Sequence, residues 1–165
     1  MKLERFDNTL LIVGNLGELE AYAMKYELDI DPKDSAHTSH KHHRGELVEH
    51  LSFTLIDDEA LIAAHKKISE IVTDQQGHYE GIFGGESGED HNLETEIITR
   101  LLKLIAEEIN RLVKTTNPKE WYLAFPEAYN KELFSLLEEG VKSKLKTNIK
   151  ENLVKVSPQK VIERL

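Results

Sequence analysis

At 165 residues the chain has the length of one domain, enough to bury about 70% of its unfolded surface without metal or disulfide help. It contains no cysteine, which excludes disulfides, thiol nucleophiles and thiolate metal sites. A net charge of -9, with 39% hydrophobic and 31% charged residues, describes a well-charged surface and argues against broad, nonspecific affinity for nucleic acid, DNA included, or anionic membrane.

That total is uneven. Residues 140–165 hold seven Lys or Arg against two acids, a net +5, which leaves -14 on the first 139 residues. Lysines collected near a helix C-terminus and along an edge strand suit the dipole and discourage strand pairing; the other reading is a phosphate-binding patch. The early apolar run Leu10-Leu11-Ile12-Val13 is too short for a signal-peptide core or a bilayer span, so a cytoplasmic location is expected.

Thr9-Leu10-Leu11-Ile12-Val13 reads as a buried strand ended by Gly14-Asn15-Leu16-Gly17. Residues 18–27 then alternate, with Leu19, Ala21, Ala23 and Lys25 on one side, so the two form an antiparallel hairpin. Residues 29–45 are polar and aperiodic, carry Pro32 and several histidines, and are expected to be a mobile surface loop. A third strand is expected over 47–55, where Leu47, Glu49, Leu51, Phe53 and Leu55 share a face.

Within residues 57–72, Leu61, Ala64, Ile68 and Ile71 fall at helical spacing and predict a short helix. A turn is expected at Asp74-Gln75-Gln76-Gly77-His78-Tyr79, opening a second loop over 74–90. The broad apolar stripe from Leu93 to Val113 predicts a long helix packed on a sheet, with Asp90 or Asn92 as its cap. Asn117-Pro118 stops it, and Trp121-Tyr122-Leu123-Ala124-Phe125 reads as a central strand covered on both faces. A helix from Pro126 with Leu133, Phe134, Leu136, Leu137 and Val141 inward is followed by a strand near 145–151. A terminal helix to Leu165 is expected behind Ser157-Pro158. Together these predict one α/β domain over residues 1–165. Its mixed sheet has about five strands in the order β-β-β-α-β-α-β-α and is covered by helices.

Four segments carry a family likeness: the Leu11-Ile12-Val13 hairpin, Asp74 to Tyr79, Trp121-Tyr122-Leu123-Ala124-Phe125-Pro126, and the tail. In the tail, Lys150-Glu151-Asn152-Leu153 precedes Ser157-Pro158. In these the chain resembles the host attachment protein family, itself similar to bacterial relatives of the middle domain of archaeal and eukaryotic class 1 peptide release factors. It departs from the family pattern at Asn152, where the family more often has Asp. It departs again at Ala124-Phe125-Pro126, where Ala-Pro-Pro followed by Leu-Gly and Leu-Arg is usual. The resemblance implies a release-factor-like fold and a ribosome-associated or translation-associated role.

Gly84, Gly85, Glu86 and Ser87 stand before the long helix, where the release-factor domain carries Gly-Gly-Gln, and are the candidate binding residues. In release factors that loop positions water against the ester of peptidyl-tRNA, a task for a neutral amide that donates and accepts. Ionised Glu86 does not donate, and residues 86–96 hold five acids and no base, which repels RNA phosphates. The plainer reading is an exposed turn using glycines for positive φ before an acid-capped helix.

His37, His40, His42, His43 and His50 are close enough in sequence to bind zinc, copper or nickel, but their spacing matches no strong metal motif, and no metal or other cofactor is expected. The element order also fits the ribonuclease H class, whose two-metal chemistry needs acids on adjacent strand ends. Asp7, Asp57, Asp58, Glu120 and Glu127 are the acids on offer, with none inside the fourth strand. No serine elbow or phosphate-binding glycine loop occurs. The expectation is therefore a noncatalytic binding module with a protein, ribosome or RNA partner. The alternative is a hydrolase acting on a peptidyl-tRNA ester or, with metal, on a phosphodiester.

Overall fold

The computed structural model describes residues 1–30, 46–80 and 87–165, with side chains described outside 75–80 and 87–92. A 3-10 turn at Leu3–Phe6 leads into β1, Thr9–Gly14, every residue of which is buried. The reason is position: β1 lies mid-sheet with β2 (Leu19–Ile30) antiparallel on one side and β4 (Glu120–Ala124) parallel on the other. Beyond β2 lies β3 (Leu47–Leu55), antiparallel, and beyond β4 lies β5 (Leu145–Ile149), parallel. The order is β3-β2-β1-β4-β5, the mixed five-stranded sheet that the hairpin-then-crossover pattern predicts.

Strand pleating sends alternate side chains to opposite faces, and two separate cores result. On the first face Leu10, Ile12, Leu19, Ala21, Trp121 and Leu123 meet helices α1 (Glu59–Glu80) and α2 (Ser87–Thr116), with α3 (Glu127–Ser135) and α4 (Glu139–Lys142) beside them. On the second face Leu11, Val13, Met24, Tyr122 and Ala124 are covered by Phe6 and by the tail, through Leu153 and the Val161-Ile162 pair of α5 (Pro158–Ile162). The Phe6 and Tyr122 rings lie 5.5 Å apart, centroid to centroid, and tilted.

Several boundaries differ from the sequence expectation. The turn expected over residues 74–79 is helix, because α1 runs on to Glu80 through Gly77. Residues 87–90, expected in the same loop, open α2. Asp29 and Ile30 extend β2 where a loop was expected to begin. The helix after Pro126 is two pieces, broken between Ser135 and Glu139, and the break turns Phe134 outward while Leu133, Leu137 and Val141 stay buried. The last strand ends at Ile149 and the terminal helix at Ile162.

Gly14 closes β1 against the β2 turn. A Cβ there would stand 3.0 Å from Leu19 Cδ1, 3.1 Å from the Glu18 carbonyl and 3.3 Å from Phe125 Cδ2, so only glycine lets the hairpin close on β4. Asn15 completes the turn, its Oδ1 accepting from the Gly17 and Glu18 amides at 2.8 Å each.

Candidate functional site

Gly84, Gly85 and Glu86 lie outside the described residues, and Ser87 is the first residue of α2. What the structure describes is the support on either side. Leu61, Ala64 and Ile68 anchor α1 on the sheet, and Leu101, Ile105, Ile109 and Leu112 anchor α2. Among the α2 residues whose side chains are described, Ile97 is the first packed on that core, ten positions after Ser87, so about 15 Å of helix precedes it.

One ionic cluster ties the two helices together. Arg111 of α2 reaches both oxygens of Asp58, at 3.0 and 2.9 Å, and also bonds Glu108 through Nε at 3.0 Å. Asp58 in turn caps α1 by accepting from the Leu61 amide at 2.8 Å. The Arg111 and Leu61 bonds hold the Asp58 carboxyl below its usual pKa, while Glu108 and then Asp58 raise that of the Arg111 guanidinium. This cluster edges a groove of about 340 Å³ between the helices, floored by Ala60, Ala63 and Ala64.

The acids that a two-metal site would need are dispersed. Asp7 accepts from the Tyr26 amide at 3.0 Å, whereas Asp58 follows Ile56, whose amide bonds the Ala21 carbonyl. Tyr26 and Ala21 are five residues apart on β2, about 17 Å along the strand. Glu120, expected before the fourth strand, is instead the first residue of β4 and pairs with Lys146 at 3.6 Å, while Glu127 opens α3 beyond the other end of that strand. Among the described residues no three His, Asp or Glu side chains are grouped to hold a metal ion. Of the histidines, 37, 40, 42 and 43 lie outside the described residues, and nothing is described of the side chains of His78 and His91. His50 on β3 stands 3.3 Å from Glu27 and 3.4 Å from Asp29 across the β2–β3 ribbon. His65 donates Nε2–H to the Leu19 carbonyl and pins α1 to the hairpin.

The basic tail does converge. Lys142, Lys144 and Lys146 run from α4 along the β5 edge, with Lys150 just past it. A groove of about 300 Å³ opens there, lined by Phe134, Lys142, Leu145, Lys146, Thr147 and Asn148. The Lys142 ammonium sits 5.2 Å from the Phe134 ring centre, a cation–π contact that fixes both walls. The base of the groove is an amide pair. Asn130 Nδ2 donates to Asn148 Oδ1 at 2.8 Å, Asn148 Nδ2 donates back at 2.7 Å, and Asn130 also bonds the Phe125 carbonyl at 3.1 Å. Sequence reasoning missed both Phe134 as a wall and this pair. The helix break that exposes Phe134 has no proline or glycine before Gly140 to announce it, and two asparagines eighteen residues apart carry no pairing signal.

Residues 46–165 match the family described as protein required for attachment to host cells. The chain belongs to that family. No curated protein matches it. In this host attachment protein the matched stretch starts immediately before β3 and takes in both anchoring helices, the β5 groove and the tail. The hairpin β1–β2 precedes it. Among the described residues no helix is long and apolar enough to cross a membrane.

Proposed function

We propose that this host attachment protein is a noncatalytic binding module that works in the cytoplasm and docks on the ribosome through its basic β5 edge. The segment Gly84 to Ser87 is the second contact in this reading, by the likeness to the release-factor middle domain. Its role in host attachment is then indirect. The observation that supports the reading is how the charges are distributed. The candidate acids are spread over both ends of the sheet, while Lys142 and Lys146 line one groove.

Co-sedimentation with ribosomes across a salt series tests it. The full chain is expected to pellet with ribosomes at low salt and to be released as salt rises, because exposed charge attraction is screened. K146E/K150E should weaken retention by about tenfold or more. No retention at low salt sinks the reading. Release of the peptide from a peptidyl-tRNA ester, abolished by Glu86→Ala, would establish the hydrolase instead.

A further inference from the structure

The two edges of the sheet are built differently. β5 is five residues long, carries Lys146, and pairs with β4 through a register irregularity at Trp121/Tyr122. Short length, lysine and irregular pairing are the devices that keep an edge from recruiting another strand. The other edge has none of them. β3 is nine residues long, pairs with β2 in unbroken register, and contains neither lysine nor proline. It also carries exposed apolar side chains, with Leu47 63% and Leu55 53% accessible and Val48 exposed as well.

Its hydrogen-bonding groups point the right way. The Ile56 amide bonds the Ala21 carbonyl, and pairing alternates along an antiparallel ladder, so residues 48, 50, 52 and 54 face β2. The N–H and C=O groups of Leu47, Glu49, Leu51, Phe53 and Leu55 therefore face away from it. These five residues also share one face of the ribbon.

We propose that β3 pairs with β3 of a second copy of this chain, antiparallel about a twofold axis at Leu51, joining two sheets into one of ten strands. The sequence Leu47-Val48-Glu49-His50-Leu51-Ser52-Phe53-Thr54-Leu55 suits that operation, with leucine at the centre and both ends. Leu47 falls opposite Leu55 of the second copy, and Leu51 opposite its own equivalent. Glu49 faces Phe53, His50 faces Ser52, and Val48 faces Thr54, so no like charges meet. Every outward N–H and C=O then finds a partner, and the interface is closed and self-complementary.

Sedimentation velocity over a concentration series, with circular dichroism to verify folding, tests the pairing on the full chain. The wild type is expected to be a dimer. L47K/L55K sets lysine against lysine at both symmetry-related pairs and should weaken association by about tenfold or more. L47K/L55E sets lysine against glutamate instead and should dimerise again, with a salt dependence the wild type lacks. In a chain without cysteine, Leu51→Cys should oxidise to a covalent dimer, since Cα atoms about 5.5 Å apart suit a disulfide. The proposal is overturned by a wild type that stays monomeric or grows into open-ended assemblies. Folded L47K/L55K that dimerises like wild type, folded L47K/L55E that stays apart, or folded L51C that fails to cross-link would overturn it equally.

Discussion

Asn130 is 1% exposed, with its amide shared between the Phe125 carbonyl and Asn148. Replacing it by aspartate keeps the shape but turns two donors into acceptors facing acceptors. Burial raises the folded-state pKa of such a carboxyl above its unfolded value near 3.9, so the neutral acid is the form the fold tolerates. The sign follows: Asn130→Asp costs least below about pH 4, and the penalty grows as pH rises from there through the raised folded value. At neutral pH we expect a loss of about 1–3 kcal/mol relative to wild type by urea unfolding. A loss equal at pH 4 and pH 7 would contradict the donor role. Tyr22 titrates in the same sense at higher pH. Burial, and then its hydrogen bond to Glu20 at 2.7 Å, push its phenol up to about 12, so whatever stability it confers is full below pH 10 and is lost as pH rises through 12.

Arg111 decides how α1 sits on α2. Glu108 is buried, and Arg111 is its only described ionic partner, so Arg111→Ala strands a carboxylate and also frees Asp58. A loss of about 3 kcal/mol is expected from denaturant unfolding. Asp58→Ala removes the α1 cap as well, worth about 1 kcal/mol. The depressed Asp58 pKa sets the pH sign: its contribution is present above the ordinary value of 3.8 and disappears as pH falls through the lower folded value. The gap between Asp58→Ala and wild type should therefore narrow in acid.

The same elements show what was legible in the sequence. Leu101, Ile105 and Ile109 announce α2, and the unbroken apolar run 121–125 announces β4, because burial leaves a period that composition alone reveals. Gly77 misled, since a single glycine costs a helix only about 1 kcal/mol and does not by itself end one. The Arg111–Asp58 cluster spans 53 positions and the Asn130–Asn148 pair 18, so neither appears as a local pattern. Lys142, Lys144 and Lys146 were visible as a charge excess, but the groove beside them depends on the break after Ser135.

At the scale of the molecule, the sheet is insulated on two sides by different parts of the chain. Helices from the middle of the sequence cover one face, and short segments near residues 6 and 162 cover the other. V161A/I162A removes buried methyl groups from a thin layer over Leu11 and Tyr122. Each truncation should cost about 1–3 kcal/mol, read as a lowered urea midpoint with an unchanged slope. Loss near zero would mean that the tail is an ornament on an otherwise finished core.

Phe6 and Ile162 belong to one apolar cluster, so two segments far apart in sequence share one wall. A label attached near either residue would report on a shared neighbourhood.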